Sequence, residues 1–117
     1  MEKKKILGEI VATYEKHGWK LRKVLMRSET RKQVGFDEVN GVAVEDAQID
    51  ALWFTRPSFR GREAWEMRLL AETPYALFET FAPDEPEEKQ EKIRREMEHG
   101  LFENFFAKPK GRSQASK

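Results

Sequence analysis

Three charged residues in the middle of the chain have types and a spacing that suit a metal-dependent hydrolytic site. Asp50 lies in one run of alternating side chains, and Glu66 and Arg68 lie in the next such run. If the two runs pair as adjacent strands, the three side chains share one face of the sheet, because side chains alternate between the faces. Two carboxylates on neighbouring strands supply the oxygen ligands that Mg²⁺ prefers. Asp50, Glu66 and Arg68 are therefore the candidate catalytic residues, and the alternative is an exposed salt-bridged sheet face without function.

The tryptophan positions predict how these two runs pair. A slip of one residue would turn every side chain to the other face, so the apolar rows limit the register. Placing Trp53 opposite Trp65 keeps the two tryptophans in one row and sets Asp50 opposite Arg68, a favourable cross-strand charge pair. We therefore predict a hairpin with this register.

The order of the predicted elements adds a family resemblance. A helix, three strands and a helix, with an acid on the second strand and Glu66-Met67-Arg68 on the third, resembles the restriction-endonuclease-like nucleases. The resemblance implies Mg²⁺-dependent phosphodiester cleavage. In that family the third strand carries an acid, any residue and then lysine, whereas this chain has arginine in the lysine position. Arginine keeps the charge but is a poor proton-transfer group.

Basic residues cluster in two stretches whose chemistry suits a nucleic acid. The first predicted strand and the residue after it contribute Lys20, Arg22, Lys23 and Arg27, and the loop between the second and third predicted strands contributes Arg56, Phe59, Arg60 and Arg62. Cations of this kind bind phosphates, and the phenylalanine among them can stack on a base. Nucleic-acid binding is therefore one predicted function. The alternative is a solvated face whose charges are neutralised by acids within the fold.

The outer row of the predicted hairpin is apolar, with Leu52 and Phe54 on one strand and Leu70 on the next. If both helices pack on the other face, this row forms an exposed patch of the kind that marks a partner or ligand surface. Alternatively, one helix covers each face, or a homodimer covers the row. The last helix also has more apolar width at residues 101–106 than one contact stripe needs. We therefore predict a non-enzymatic interaction module that self-associates or docks another protein, with Leu52, Phe54 and Leu70 as binding residues.

Most other catalytic chemistry is not supported by the sequence. The chain has no cysteine, which excludes disulfides, thiolate metal sites and thiol nucleophiles. The two histidines, His17 and His99, fall near predicted helix ends and have no nucleophile motif beside them. The seven glycines are dispersed and form no phosphate-binding loop. Apart from the candidate carboxylates, we expect no metal and no cofactor, and we favour binding over catalysis.

Apolar periodicity predicts the elements that position these residues. Spacings of three and four predict one helix over residues 2–17 and another over 84–106. Alternation predicts strands at residues 19–26, 48–55, 64–70 and 75–81, of which the last could also be a helical turn. Residues 27–40 lack periodicity and are predicted to form a loop, with or without short strands on either side, and Asn40-Gly41 is a turn dipeptide.

Together these elements predict a single α+β domain. An antiparallel sheet of three to four strands is packed by N-terminal and C-terminal helices, in the order α-β-β-β-(β)-α. The domain is expected to span residues 1–106, followed by a basic disordered tail at 107–117. A net charge of only +1 makes any electrostatic function local. Without a signal peptide or an apolar run of membrane length, we expect a cytoplasmic protein that does not contact membranes.

Overall fold

A six-stranded mixed sheet with helices on both faces is the framework of the protein, seen in a computed structural model that describes residues 2–107. The helices in this part of the chain are α1 (Lys3–Lys16), α2 (Ser28–Val34) and α3 (Glu87–Phe105). The strands are β1 (Lys20–Met26), β2 (Glu38–Val39), β3 (Val42–Asp46), β4 (Ala51–Pro57), β5 (Glu63–Leu69) and β6 (Ala76–Phe81). Their order in the sheet is β2-β3-β1-β4-β5-β6, and β1 and β3 are the parallel pair among antiparallel neighbours.

The predicted α+β domain is confirmed, but the predicted strand count, purely antiparallel sheet and element order are only partly right. The terminal helices, the β4–β5 hairpin and the strand near residues 75–81 are present. The prediction of a loop over residues 27–40 is wrong where α2 forms, whereas the short strands β2 and β3 agree with the alternative that strands flank the loop. Helix α2 has only seven residues, of which Thr30 and Val34 are buried, and two positions are too few to show periodicity. The turn at Asn40-Gly41 is confirmed, since both residues have positive φ angles, 49° and 84°.

The helices divide the core into two layers, one on each side of the sheet. Helix α1 buries four apolar residues, Ile6, Leu7, Ile10 and Val11, against the face that also carries the α2 residue Val34. Helix α3 covers the other face, where Leu101 is fully buried. We call these two faces the α1 face and the α3 face. Each strand between them can therefore bury both rows of its side chains.

The apolar row of Leu52, Phe54 and Leu70 lies beneath α1, and all three residues have 0% exposure. The ring of Tyr14 in α1 stacks on Phe54 with 4.1 Å between the ring centroids. The expectation of an exposed patch at these three residues is therefore wrong. It assumed that both helices pack on the same side, whereas the alternative with a helix on each face is the one observed.

Helix α3 packs on the sheet through apolar side chains, among them Ile93, Met97 and Leu101, and also through polar ones. Arg94 is buried, and its guanidinium carbon lies 4.1 Å from the ring centroid of Trp65. The indole nitrogen of Trp53 donates a hydrogen bond of 2.8 Å to Glu98. These contacts let a helix with few buried apolar residues cover the two tryptophans.

The predicted register of the hairpin is wrong by two residues. Trp53 lies opposite Met67, and Trp65 lies opposite Thr55. A shift of two keeps both tryptophans on the α3 face, where their rings are 5.8 Å apart. The predicted charge pair is lost in this register, because Arg68 faces Leu52 instead of Asp50.

None of the helices within residues 2–107 is long and apolar enough to cross a membrane. Of the predicted basic tail at residues 107–117, all but Ala107 lies outside the described residues.

Candidate nucleic-acid interface

The beginning of β1 and the tip of the β4–β5 hairpin lie at the same end of the sheet. Lys20 at the start of β1 pairs with Thr55 near the end of β4, and Pro57 pairs with Glu63 across the hairpin. The two basic stretches, which are far apart in the chain, are therefore neighbours in space. This meeting depends on the β1–β4 pairing and is the basis of the candidate site.

A cavity of about 540 Å³ opens on this end of the molecule, and its charged lining is mostly basic. Its basic side chains are Lys20, Arg22, Arg56 and Arg62, and Glu63 is the carboxylate among the lining residues. We call it the basic cavity. A concave surface lined by one sign of charge raises the local concentration of an oppositely charged ligand. The lining therefore suits a polyanion.

Lys20 and Arg22 extend from β1 to the same side of the sheet, because residues two apart in a strand share a face. Lys20 lies on the α3 face with its partner Thr55, and Arg22 reaches that face too, with its guanidinium carbon 5.2 Å from the Trp65 ring centroid. A β-bulge lies here as well, since the register of β1 against β4 shifts between Leu21 and Lys23 and sets Lys23 opposite Trp53. Positive charge is therefore concentrated at the beginning of β1.

A second cavity, of about 590 Å³, lies on the α1 side of the same hairpin and carries exposed aromatic rings. Phe59 and Phe78 line it and are 75% and 57% exposed, respectively. We call it the aromatic cavity. Beside it, the ring of Trp19 meets that of Phe78 edge-on at 6.4 Å, and the guanidinium carbon of Arg56 lies 4.6 Å from the Trp19 ring centroid. Exposed rings next to cations are the pairing that single bases and phosphates require.

The cations at this end of the sheet are not neutralised by ion pairs. Within residues 2–107 no salt bridge involves Lys20, Arg22, Arg56, Arg60 or Arg62. The Arg56 side chain donates to the backbone oxygen of His17 at 2.7 Å. The Arg62 side chain donates to the hydroxyl and carbonyl oxygens of Thr80 at 3.0 and 3.1 Å. These neutral acceptors orient the guanidinium groups while leaving their charge available.

Two carboxylates, Glu63 and Glu85, lie near this end, and each accepts a hydrogen bond from a neutral N–H group. Glu63 accepts a hydrogen bond of 2.9 Å from the indole nitrogen of Trp65. The backbone N–H of Ala82 lowers the pKa of the Glu85 carboxyl, with smaller contributions from Lys89 and Arg62.

The hairpin tip holds Phe59 in a defined turn. Arg60 and Gly61 both have left-handed backbone conformations, with φ angles of 57° and 76°. The backbone N–H of Ser58 donates to the carbonyl of Arg62 at 2.8 Å, which closes the turn. This turn sets the hairpin register, because its geometry determines which residues of the two strands face each other. A left-handed arginine is unfavourable by about 1–2 kcal/mol, so the tip stores strain at a residue that faces solvent.

We expect Arg60→Gly to raise the free energy of unfolding by about 0.5–1 kcal/mol, because relief of the left-handed strain exceeds the greater entropy that glycine gives the unfolded chain. Urea denaturation measures this change. The matched variant is Gly61→Ala, whose added Cβ would lie 3.7 Å from Pro83 and so meets no steric clash. The free energy of unfolding of this variant should be about 1 kcal/mol lower than that of the wild-type protein, through backbone strain alone. A destabilised Arg60→Gly variant would contradict the assignment of strain to this residue.

Two of the predicted nucleic-acid residues lie away from the basic cavity. Arg27 follows β1 at its other end, where its backbone N–H and its side chain donate to Asp50 at 2.8–3.1 Å. Lys23 is half-buried. Its charge helps to lower the pKa of Glu91, for which the hydrogen bond from Arg94 is the larger cause. Both cations therefore have partners within the fold.

The candidate catalytic residues are not brought together. Asp50 has 0% exposure, and its carboxylate also accepts a hydrogen bond of 2.7 Å from Thr30. Glu66 faces Phe54. That position is four residues from Asp50 along β4, or roughly 13 Å at the rise of a strand. One ion cannot bind both carboxylates across this distance, and residues 2–107 contain no group of three metal-binding side chains.

Glu66 and Arg68 belong to a separate polar cluster beside α1. The Tyr14 hydroxyl donates a hydrogen bond to Glu66, and burial, followed by this bond, raises the pKa of the Tyr14 phenol. Arg68 donates to the backbone oxygen of Ala71 at 3.0 Å. The arrangement ties α1 to β5 and suits a structural role.

Trp19 and Phe78 were not predicted as members of the nucleic-acid site. Trp19 packs on the α1 face, whereas Trp53 and Trp65 lie on the α3 face. The bulge in β1 breaks the alternation of side chains after Leu21, so simple alternation does not show which face the first strand presents. A signal was present in the sequence, since Trp19 stands between a helix-ending glycine and a basic strand.

Comparison with known proteins identifies no relative: no family model matches the chain, and no match was found among curated proteins or solved structures.

Proposed function

We propose that the protein binds nucleic acid through the end of the sheet that carries the basic and aromatic cavities. The observation that carries this proposal is that five basic side chains without salt bridges converge at this end of the sheet, where the rings of Phe59 and Phe78 are also exposed. Because the net charge is only +1, attraction to a polyanion must come from such a local cluster. The cluster is built on strands and a closed turn, which keep its geometry fixed.

Three of the cations are especially suited to phosphate contacts. Lys20, Arg22 and Arg60 make no side-chain hydrogen bond or salt bridge within residues 2–107. Arg22 and Arg60 lie only beside aromatic rings, 5.2 and 5.5 Å from the ring centroids. Replacing them therefore removes charge without breaking a hydrogen-bond network.

The proposal predicts salt-dependent binding, measurable by fluorescence anisotropy with a labelled oligonucleotide. Each neutralised phosphate contributes about 0.7–0.9 to the slope of log affinity against log salt. The triple variant Lys20→Gln, Arg22→Gln, Arg60→Gln should reduce this slope by about 2–3 and weaken binding roughly 100-fold at about 0.1 M salt. Circular dichroism checks that the variant is folded.

The matched control removes the same charge from the opposite end of the sheet, with the triple variant Lys4→Gln, Lys5→Gln, Lys32→Gln. This control should change the affinity by less than about threefold, since screening beyond about 10 Å limits distant surface charges. Absence of binding by the wild-type protein at low salt contradicts the proposal. Equal weakening by the two triple variants also contradicts it, because the attraction would then not be local.

A self-associating interaction module is the second candidate, and one observation favours it. Strand β6 forms an edge of the sheet, contains no lysine or proline, and exposes Phe78. Lysine and proline are common protections of edge strands against pairing, and β6 has only the charge of Glu79 in their place. Size-exclusion chromatography with light scattering tests this candidate, and a strict monomer from micromolar to millimolar concentration excludes self-association.

A further inference from the structure

We infer that the site accepts single-stranded nucleic acid in preference to a duplex. The inference rests on the proposed function and deepens it by specifying the class of ligand. It is carried by the aromatic cavity, which a site for phosphates alone does not require. The basic cavity would attract any nucleic acid, whereas exposed aromatic rings add binding energy only when they can reach the face of a base.

The exposed rings have less favourable partners on a duplex than on a single strand. In a double helix each base is covered by its neighbours in the stack, and a ring reaches a base face only after the stack is opened at a cost of a few kcal/mol. Phe59 and Phe78 have no polar atoms and cannot read base edges by hydrogen bonding. Their large exposed surfaces, 75% and 57%, therefore contribute most when an already unpaired base stacks on them.

The positions of the two cavities match the phosphate side and the base side of a single nucleic-acid strand. Arg56 and Pro57, near the end of β4, line both cavities, so the hairpin stem separates them. A strand lying across this stem can place its phosphates against the basic cavity and turn its bases into the aromatic cavity. A duplex cannot do so, because its two backbones enclose the paired bases.

The aromatic side of the site is held in place before any ligand binds. The backbone oxygen of His17 accepts a hydrogen bond of 2.7 Å from Arg56, whose guanidinium lies over Trp19. Trp19 in turn contacts the edge of the Phe78 ring at a centroid distance of 6.4 Å. This chain of contacts leaves the Phe78 ring exposed but supported, which lowers the entropic cost of stacking.

Four ligands of equal length test the inference by fluorescence anisotropy: an oligothymidine, an oligouridine, an abasic oligodeoxynucleotide and a DNA duplex. A length of about 12 nucleotides falls within known site sizes for single-strand binding folds. The abasic strand retains the phosphates but has no bases to stack. We expect the oligothymidine or the oligouridine to bind roughly 5- to 150-fold more tightly than the abasic strand, which corresponds to one stacked base.

Variants of the rings provide the second part of the test. Phe59→Ala and Phe78→Ala should each weaken binding of the base-containing single strand, leaving the abasic and duplex affinities and the salt slope unchanged. Phe59→Trp should retain single-strand binding, because tryptophan keeps a stacking face. The control is Phe36→Ala, which removes another exposed ring, 39% exposed, beside Lys4 of α1.

The outcomes separate the inference from the proposed function. Equal affinities for the single-stranded, abasic and duplex ligands overturn the single-strand inference and leave nucleic-acid binding standing. Tighter binding of the duplex, or unchanged binding after both ring substitutions, also overturns it. Absence of binding to all four ligands at low salt overturns the proposed function itself.

Discussion

Replacing Asp50 with alanine is expected to lower the free energy of unfolding by about 3 kcal/mol, the lower end of the range for breaking a buried ion pair. The carboxylate has 0% side-chain exposure and accepts hydrogen bonds from Arg27 and Thr30. Its removal leaves a backbone N–H, a hydroxyl and a guanidinium without their acceptor. The lower end of the range applies because the Arg27 side chain is 35% exposed and can still reach water. Urea denaturation followed by tryptophan fluorescence measures the loss.

The matched control is Asp46→Ala. Asp46 also accepts a short hydrogen bond from an arginine, Arg31, at 2.7 Å, but its own side chain is 81% exposed. Such a surface pair contributes about 0–1 kcal/mol, so the free energy of unfolding of this variant should be close to that of the wild-type protein. If the two variants lose equal stability, burial of Asp50 is not what makes its ion pair important. A loss below about 1 kcal/mol for Asp50→Ala would contradict the expected structural role.

Replacing Phe54 with alanine is expected to lower the free energy of unfolding by about 3–5 kcal/mol, as for other large aromatic residues in a core. Phe54 has 0% exposure in the middle of β4 and stacks on Tyr14 of α1. The substitution leaves a cavity beneath α1. The helix on one side and the sheet on the other prevent this cavity from collapsing. The same urea denaturation measures the effect.

Phe59→Ala is the matched comparison, because it makes the same substitution five residues further along the chain at a position 75% exposed. Its stability should change by no more than about 0.5 kcal/mol. Both phenylalanines are predicted from sequence to be binding residues, but their replacement by alanine should have different effects. Phe54→Ala should impair folding, whereas Phe59→Ala should impair only binding. A stable Phe54→Ala variant would show that α1 is not firmly packed on the sheet.

The local elements were largely predictable from sequence, because their signals are local. The apolar stripe of α1 and the alternation in β5 each extend over several repeats. The sequence also contains a signal for the number of covered faces. Five consecutive residues of β4, from Ala51 to Thr55, are buried, and a continuous apolar run is typical of a strand covered on both sides.

The parallel pairing and the exact register depend on distant parts of the chain. Strand β3 pairs in parallel with β1 only because the short helix α2 carries the chain across, and α2 is too short to be recognised by periodicity. The two-residue error in the hairpin arose because both registers keep Trp53 and Trp65 on one face. The left-handed turn at Arg60, which decides between them, has no arginine-specific sequence signal.

The candidate site was predictable as two basic groups but not as one surface. Lys20 and Arg22 belong to the first strand, and Arg56 and Arg62 belong to the hairpin. Their proximity follows from the β1–β4 pairing, which joins segments that are far apart in the chain. Arg27 looks equivalent to Arg22 in the sequence. In the fold, however, its side chain donates a hydrogen bond to the buried Asp50. This contact is visible only in the tertiary structure.

Because Arg60 has a left-handed conformation, the type of residue that a related chain carries at this position is informative. At such a φ angle, glycine, asparagine and aspartate are favoured by backbone energetics alone. Chains that evolve without a constraint from a ligand should therefore drift towards those residues at the tip. Retention of arginine there would indicate selection for a contact against a folding cost, whereas retention of Arg22, on a strand, would carry no such implication.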